Sequence, residues 1–324
     1  MKKPIYLLAG LLLLSTTLLG WGFWGHQRIN HMAVFCLPPE MVGFYKKNID
    51  FVTEHAVDPD KRRYSDKEEA PRHYIDIDHF GTHPFDSMPI AWKEAAAKYT
   101  EDTLKAYGIV PWHIQIMLSR LTEAFKNKEE DQILKMSAEL GHYIADAHVP
   151  LHTTENYNGQ MSNQKGIHGF WESRLPELYG EEYDFFVGRA VYIKHPLEES
   201  WKIIRESNAA LDSVLKFEAD LNSRFAEDKK YTYEQRGKNN VKIYSEAYSK
   251  AYNEMLSGMV ERRMRAATLA VASYWYTAWV NAGQPSLGDK ENATQLDSLR
   301  SQIRREEAKM KQDRIDGVVK GHEE

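Results

Sequence analysis

The chain has 324 residues, 42% hydrophobic and 27% charged, enough to bury a sizeable core and too apolar for wholesale disorder. A formal charge of −5 excludes a broad basic surface that would bind nucleic acid by electrostatics alone. The single cysteine, Cys36, excludes an intramolecular disulfide framework, and 12 Pro with 19 Gly exclude collagen-like and linker-like classes.

Residues 1–20 read as a signal peptide: Lys2 and Lys3, an apolar run from Ile5 to Leu14, then a shorter polar exit to Gly20. Cleavage after Gly20 would export the protein to the periplasm or the medium with Trp21 at its N-terminus. The cleavage site is imperfect, so an uncleaved signal anchor reaching Trp24 stays open as an alternative. Beyond residue 26 the apolar spacing is helical almost everywhere. It predicts helices over 29–36, 41–52, 90–107, 111–126, 130–147, 168–179, 197–216, 240–256 and 258–281. Only Tyr74 to Phe80 alternates like a strand. Past Pro285 the composition turns to charge, and 291–313 reads as a solvated helix. The organisation is therefore one all-α domain over 21–283 and a charged extension over 284–324, with no internal repeat.

The chemistry lies in the 13 histidines and the acids beside them. In GHYIADAHVPLH, His142 and Asp146 sit four apart on a predicted helix, on one face and able to share a metal. Pro150 stops that helix, and His152 follows. Sixteen residues on, HGFWE repeats the imidazole–carboxylate spacing with His168 and Glu172. Upstream stand His26, the pair Asp58 and Asp60 in HAVDPDKRR, and His73, Asp76, Asp78 and His79 in RHYIDIDHF. Singly, each pair is more often a surface ion pair than a ligand set, and Asp60, Arg63 and Asp66 read as solvated charges of a turn. Clustering on either side of one helix-ending proline favours metal binding. His31, His113, His195 and His322 carry no such pattern.

Together these residues resemble the zinc-dependent single-strand-specific nucleases (type I nuclease/3′-nucleotidase), sister to the bacterial zinc-dependent phospholipases C, over roughly residues 21–283. The resemblance implies three Zn2+ per chain. One would take Asp58, His73, His142 and a bridging Asp146; a second, the Trp21 amine and carbonyl, His26 and Asp146; the third, His152, His168 and Glu172. It implies hydrolysis of single-stranded DNA or RNA and of nucleotide 3′-phosphates to 5′-phosphate products, by a water activated at the metals. Asp58 would orient that water, Lys61 or Arg62 would neutralise the phosphoryl oxygens, and Tyr74 and Asp76 would hold a base by stacking and by its edge. A buried core ring is the equal alternative for Tyr74. Two departures stand out: Glu172 occupies a position where these nucleases usually have aspartate and the phospholipases glutamate, and the disulfides common in the nucleases are impossible here. A phospholipase C cleaving lipid headgroups is therefore the alternative enzyme, and a helical protein with purely structural zinc the non-enzymatic one. No protein partner is implied.

Overall fold

The computed structural model describes residues 22–236, 239–288 and 305. Eleven of its helices build the body, numbered here in chain order: α1 (Gly22–Ala33), α2 (Pro39–Lys47), α3 (Ile49–Glu54), α4 (Asp58–Arg62), α5 (Trp92–Tyr99), α6 (Glu101–Ala106), α7 (Val110–Asn127), α8 (Glu130–Ala147), α9 (Pro196–Arg224), α10 (Glu246–Leu256) and α11 (Met259–Asn281). The architecture is all-α, with one two-stranded hairpin. Among the described residues, no helix is long and apolar enough to cross a membrane. The proposed leader and the charged segment 291–313 fall outside the described residues, Arg305 excepted.

Helix α8 is the axis of the molecule. Glu130 and Asp131 suit the positive end of its dipole, and Ile133 and Leu134 begin its apolar face. From Ser137 to Ala147 every residue is buried, because α1, α7 and α11 all pack around it. Trp275 of α11 lies fully buried against α8, its indole N–H donating to Ser137 O at 2.9 Å while Tyr45 stacks on its face at 5.0 Å. Burying each such ring contributes about 1.5–3 kcal/mol, and the satisfied N–H avoids the penalty of an orphaned donor. A polar pair in the middle of so enclosed a helix, His142 and Asp146, is expensive unless something compensates it.

The crossing of α1 over α8 depends on Gly141. A Cβ there would lie 2.1 Å from Asn30 Oδ1, and Asn30 cannot retreat because its amide donates to Val52 O and Ala138 O at 3.1 and 3.0 Å. Close approach at this point brings the ring of His26 onto that of His142, 3.9 Å between centroids.

Several boundaries differ from the periodicity, each for a local reason. The 90–107 run is two helices, broken at Thr100, whose φ of 69° is left-handed and whose hydroxyl accepts from Thr103 N. The 41–52 run likewise divides at Asn48, and 168–179 contains a π-helical turn. The 240–256 run is half strand: β1 (Tyr231–Arg236) and β2 (Asn239–Tyr244) pair antiparallel with Tyr231 opposite Tyr244. Helix α10 starts only after Ser245, which caps it by accepting from Tyr248 N. Tyr244 stacks on Phe170 at 3.8 Å, and this packing outweighs helical propensity. Conversely Tyr74 to Phe80 is no strand. Ile75 N donates to His152 O and Asp76 N to Tyr107 O, so its groups are met by loops, and Ile77–Phe80 closes as a 3-10 turn.

Candidate metal centre

Each polar group of the site arrives on a differently anchored element. His26 comes from the first turns of α1, Asp60 from the short helix α4 opened by Pro59, and His73 from the turn after Ala70–Arg72. His142 and Asp146 come from α8, and His152 from the 3-10 turn Pro150–Thr153. That turn is held to α9 by Asn208, which donates to Thr153 O, while Ser207 Oγ donates to Ala147 O at 2.6 Å. His168 and Glu172 flank the start of the π-helical turn Phe170–Arg174. A widened turn of this kind often marks a functional site, because it re-aims side chains that an α-helix would stack in register. The loop before it is tied to α9 by Gln164, whose amide reaches the Glu218 carboxylate at 2.7 Å.

Asp146 is the hub. Its Oδ2 lies 2.9 Å from His73 Nδ1 and 3.1 Å from His142 Nε2, and its Oδ1 lies 3.3 Å from His26 Nε2 and 3.9 Å from His152 Nδ1. Asp60 Oδ1 stands 3.7 Å from His73 Nδ1 and 3.6 Å from His142 Nε2. Across a short gap, Glu172 Oε2 lies 3.1 Å from His168 Nε2 and 3.4 Å from His152 Nε2. Three groups of ligand atoms result: His26, His142 and Asp146; Asp60, His73 and His142; and His152, His168 and Glu172. In each group the atoms lie within 4.8 Å of one another, and every residue is buried.

These donors fit a metal better than they fit each other. Both nitrogens of His26, both oxygens of Asp60, Nε2 of His152, both nitrogens of His168 and both oxygens of Glu172 are buried with no hydrogen-bond partner. A protein rarely buries so many unsatisfied polar atoms together, and a shared cation is the compensation this donor set suits. Imidazole with carboxylate, and no thiolate, matches zinc or another borderline divalent ion. The local field agrees. Burial works against a charged His142, yet Asp146 and Asp60 outweigh it and raise its pKa to about 9. His152 rises to about 9 in the same way, burial being outweighed chiefly by Asp146 and Glu172. Against the opposing effect of burial, His142 and His152 hold the Asp146 carboxyl well below the usual range. The pocket is thus negative enough to trap positive charge.

The expected Asp58 is not among these groups; Asp60 stands there instead. Asp58 turns away and accepts from Lys61 Nζ at 3.0 Å, with His55 Nδ1 at 2.6 Å. Two residues apart on a helical turn, the two carboxylates point to opposite sides, and only Asp60, with no exposed surface, points inward. Helical spacing offers only a partial signal: Asp58 has His55 three residues before it and Lys61 three after, polar partners on its own face. The solvated-turn reading also fails for Arg63, which is buried. Arg62 is committed elsewhere: its guanidinium forks onto Glu139 with both contacts at 3.0 Å, donates to Glu69 at 2.9 Å and reaches the Tyr143 hydroxyl at 3.2 Å. Two buried carboxylates require that pairing, so Arg62 does not serve the opening. Trp21 lies outside the described residues; its neighbour Gly22 begins α1 at φ +50°, with the position of a Cβ 3.0 Å from Ser173 Oγ.

At the edge, Tyr74 is 4% exposed and packs as a core ring, presenting no open stacking face. Asp76 is buried too; burial first, then the charges of Asp78 and Glu155, raise its carboxyl pKa to about 8. Glu69, Glu139 and Tyr143, absent from the sequence reading, form a buried network behind His73.

No protein of curated function matches the chain. A family model described as S1/P1 Nuclease matches residues 21–281, the span that carries every group above. The chain belongs to the S1/P1 nuclease family, which makes it a nuclease of the phosphoesterase class.

Proposed function

We propose that this protein is an exported, zinc-dependent nuclease that hydrolyses single-stranded DNA or RNA and nucleotide 3′-phosphates, leaving 5′-phosphate products. The observation that carries the reading is the convergence of orphaned, buried imidazole and carboxylate donors on Asp146 and, beside it, on Glu172. Family membership supports the nuclease class. Zinc would be held by Asp60, His73, His142 and Asp146; by His26 and Asp146 with the terminal groups of Trp21; and by His152, His168 and Glu172. Bound there, zinc supplies Lewis acidity toward phosphoryl oxygens and makes water acidic near neutral pH.

The remaining work falls to the chain. Complete burial of His26, Asp60, His142, Asp146 and Glu172 keeps solvent off the ligands and holds their orientation without reorganisation. Asp76, half protonated near pH 8, offers a donor and an acceptor side by side, which suits the edge of a base. Lys61, already paired with Asp58, brings positive charge next to the Asp60 turn, where an anionic substrate would enter. Removal of residues 1–20 would free the amine of Trp21 as a ligand. An intact leader would leave an amide in its place, so the precursor should lack one zinc.

The test is mature protein beginning at Trp21, assayed for zinc by elemental analysis. It would be given single-stranded DNA, RNA, a nucleoside 3′-phosphate and phosphatidylcholine vesicles, with and without chelator. About three zincs and chelator-sensitive release of 5′-nucleotides are expected. Glu172 is the one observation favouring a phospholipase, and lipid turnover without nuclease activity would replace the reading by that one. Little metal and no turnover would make the centre structural.

A further inference from the structure

His73 differs from the other histidines of the centre in what lies behind it. His142 donates its Nδ1–H to Ala56 O at 2.8 Å, and His152 its Nδ1–H to His73 O at 2.7 Å. Both therefore turn Nε2 inward and rest on neutral backbone carbonyls. His73 is reversed: Nδ1 faces Asp146, His142 and Asp60, and Nε2 points away from them. Glu69 Oε1 lies 3.4 Å from that Nε2, an ion-pair contact that stops short of a hydrogen bond, and Glu69 has no exposed surface.

Glu69 is itself held on several sides. Arg62 Nε donates to its Oε2 at 2.9 Å, Arg72 donates to the same oxygen at 2.6 Å, and the Tyr143 hydroxyl donates to Oε1. Arg62 is fixed in turn by the two oxygens of Glu139 at 3.0 Å. His113 sets its ring edge-on to Tyr143, 4.4 Å between centroids. Two arginines beside two glutamates are balanced without His73. The side chain of Glu69 is over-determined, and its free direction is the His73 ring.

We infer that Glu69 is the positioning residue of His73. With a metal bound at Nδ1, it would accept the Nε2–H, hold that tautomer and raise the basicity of Nδ1. A carboxylate behind a histidine is a recurrent way of strengthening a metal ligand. Here it compensates for the one imidazole that approaches the centre by its more crowded nitrogen, next to Cβ. Arg62, Arg72 and Tyr143 hold Glu69 still. The inference rests on the proposed metal reading, since without an ion Nδ1 faces the Asp146 carboxylate at 2.9 Å and keeps the proton.

The test compares Glu69→Leu, Glu69→Gln and Glu139→Gln in mature protein. The first removes the acceptor, the second keeps a neutral one, and the third disturbs Arg62 without touching His73. Zinc affinity is read by competition with a chromophoric chelator. The Nε2–H of His73 is read from its imidazole 15N shift and its proton exchange in zinc-loaded protein. Glu69→Leu should weaken one zinc about 10–100-fold and speed exchange of the His73 Nε2–H, with Glu69→Gln intermediate and Glu139→Gln like wild type. Equal losses in Glu69→Leu and Glu139→Gln would reduce the network to scaffolding and overturn the inference. So would wild-type affinity in Glu69→Leu, or a His73 Nε2–H that exchanges as fast in wild type as in Glu69→Leu. Should wild-type protein bind no zinc, the metal reading fails and takes the inference with it, whereas zinc bound equally well by Glu69→Leu overturns the inference alone.

Discussion

The two halves of the centre are assembled in opposite ways. The half around Asp146 draws on α1, α4, the turn at His73 and α8, so its groups come from sequence positions 26 to 146. The half around Glu172 uses only the turn after Pro150 and the π-helical turn, between residues 152 and 172. The first half depends on helix packing to a fraction of an ångström, as Gly141 and Asn30 show, and is backed by a charged network behind His73. The second is nearly local and keeps one carboxylate among two imidazoles. A long-range site is exposed to any shift of its scaffold, whereas a local one follows its own turn. They meet at Asp146, whose Oδ1 also faces His152 at 3.9 Å.

The largest effect should come from the residue the halves share. Asp146→Asn should lower the zinc content of more than one group and reduce turnover by well over the ~100-fold typical of outer-shell changes. Glu172→Gln should empty only the His152–His168 group, leaving two zincs by elemental analysis. Equal metal loss in the two variants would erase the division between the halves. Next come the two aspartates of α4. Asp60→Asn should lose metal, while Asp58→Asn should keep it and change only a partly exposed ion pair, worth about 0–1 kcal/mol after solvent screening. The reverse ranking would return Asp58 to the centre.

A packing change sharpens the contrast without altering a ligand. Gly141→Ala drives a methyl toward Asn30 and should cost about 1–3 kcal/mol in denaturant unfolding. Because α1 carries His26, zinc at the Asp146 half should weaken while the Glu172 half stays loaded. The last comparison concerns the edge residue Asp76 and is read in stability alone. Its carboxyl titrates at about 8 in the fold against an ordinary 3.8, so the native state holds a proton that the unfolded chain releases between those values. Wild-type stability from this group therefore falls as pH rises from about 4 to about 8. Asp76→Asn should match wild type near pH 4 and exceed it increasingly toward pH 8 in unfolding midpoints. Parallel profiles would mean that Asp76 ionises normally.

The legibility of the molecule followed the range of the interactions. Helices such as α7, α8 and α11 were readable because their apolar spacing is strong and Pro111 and Pro150 punctuate it. The hairpin over 231–244 was not, since its stability comes from Tyr244 stacking on Phe170, some seventy residues away in the chain. Likewise Tyr74 to Phe80 alternates like a strand but finds no strand to pair with.

By itself, the sequence determined an all-α chain with its chemistry concentrated in His142, Asp146, His152, His168 and Glu172, because spacings of four on a helix are read without knowing the fold. Which aspartate of α4 turns inward, what Arg62 binds, whether Tyr74 is open to a base and what stands behind His73 were decided only by tertiary structure. The reason is physical: near-equivalent charges two residues apart have nearly the same local energies. Only burial, with its large penalty for an unpaired carboxylate, separates them.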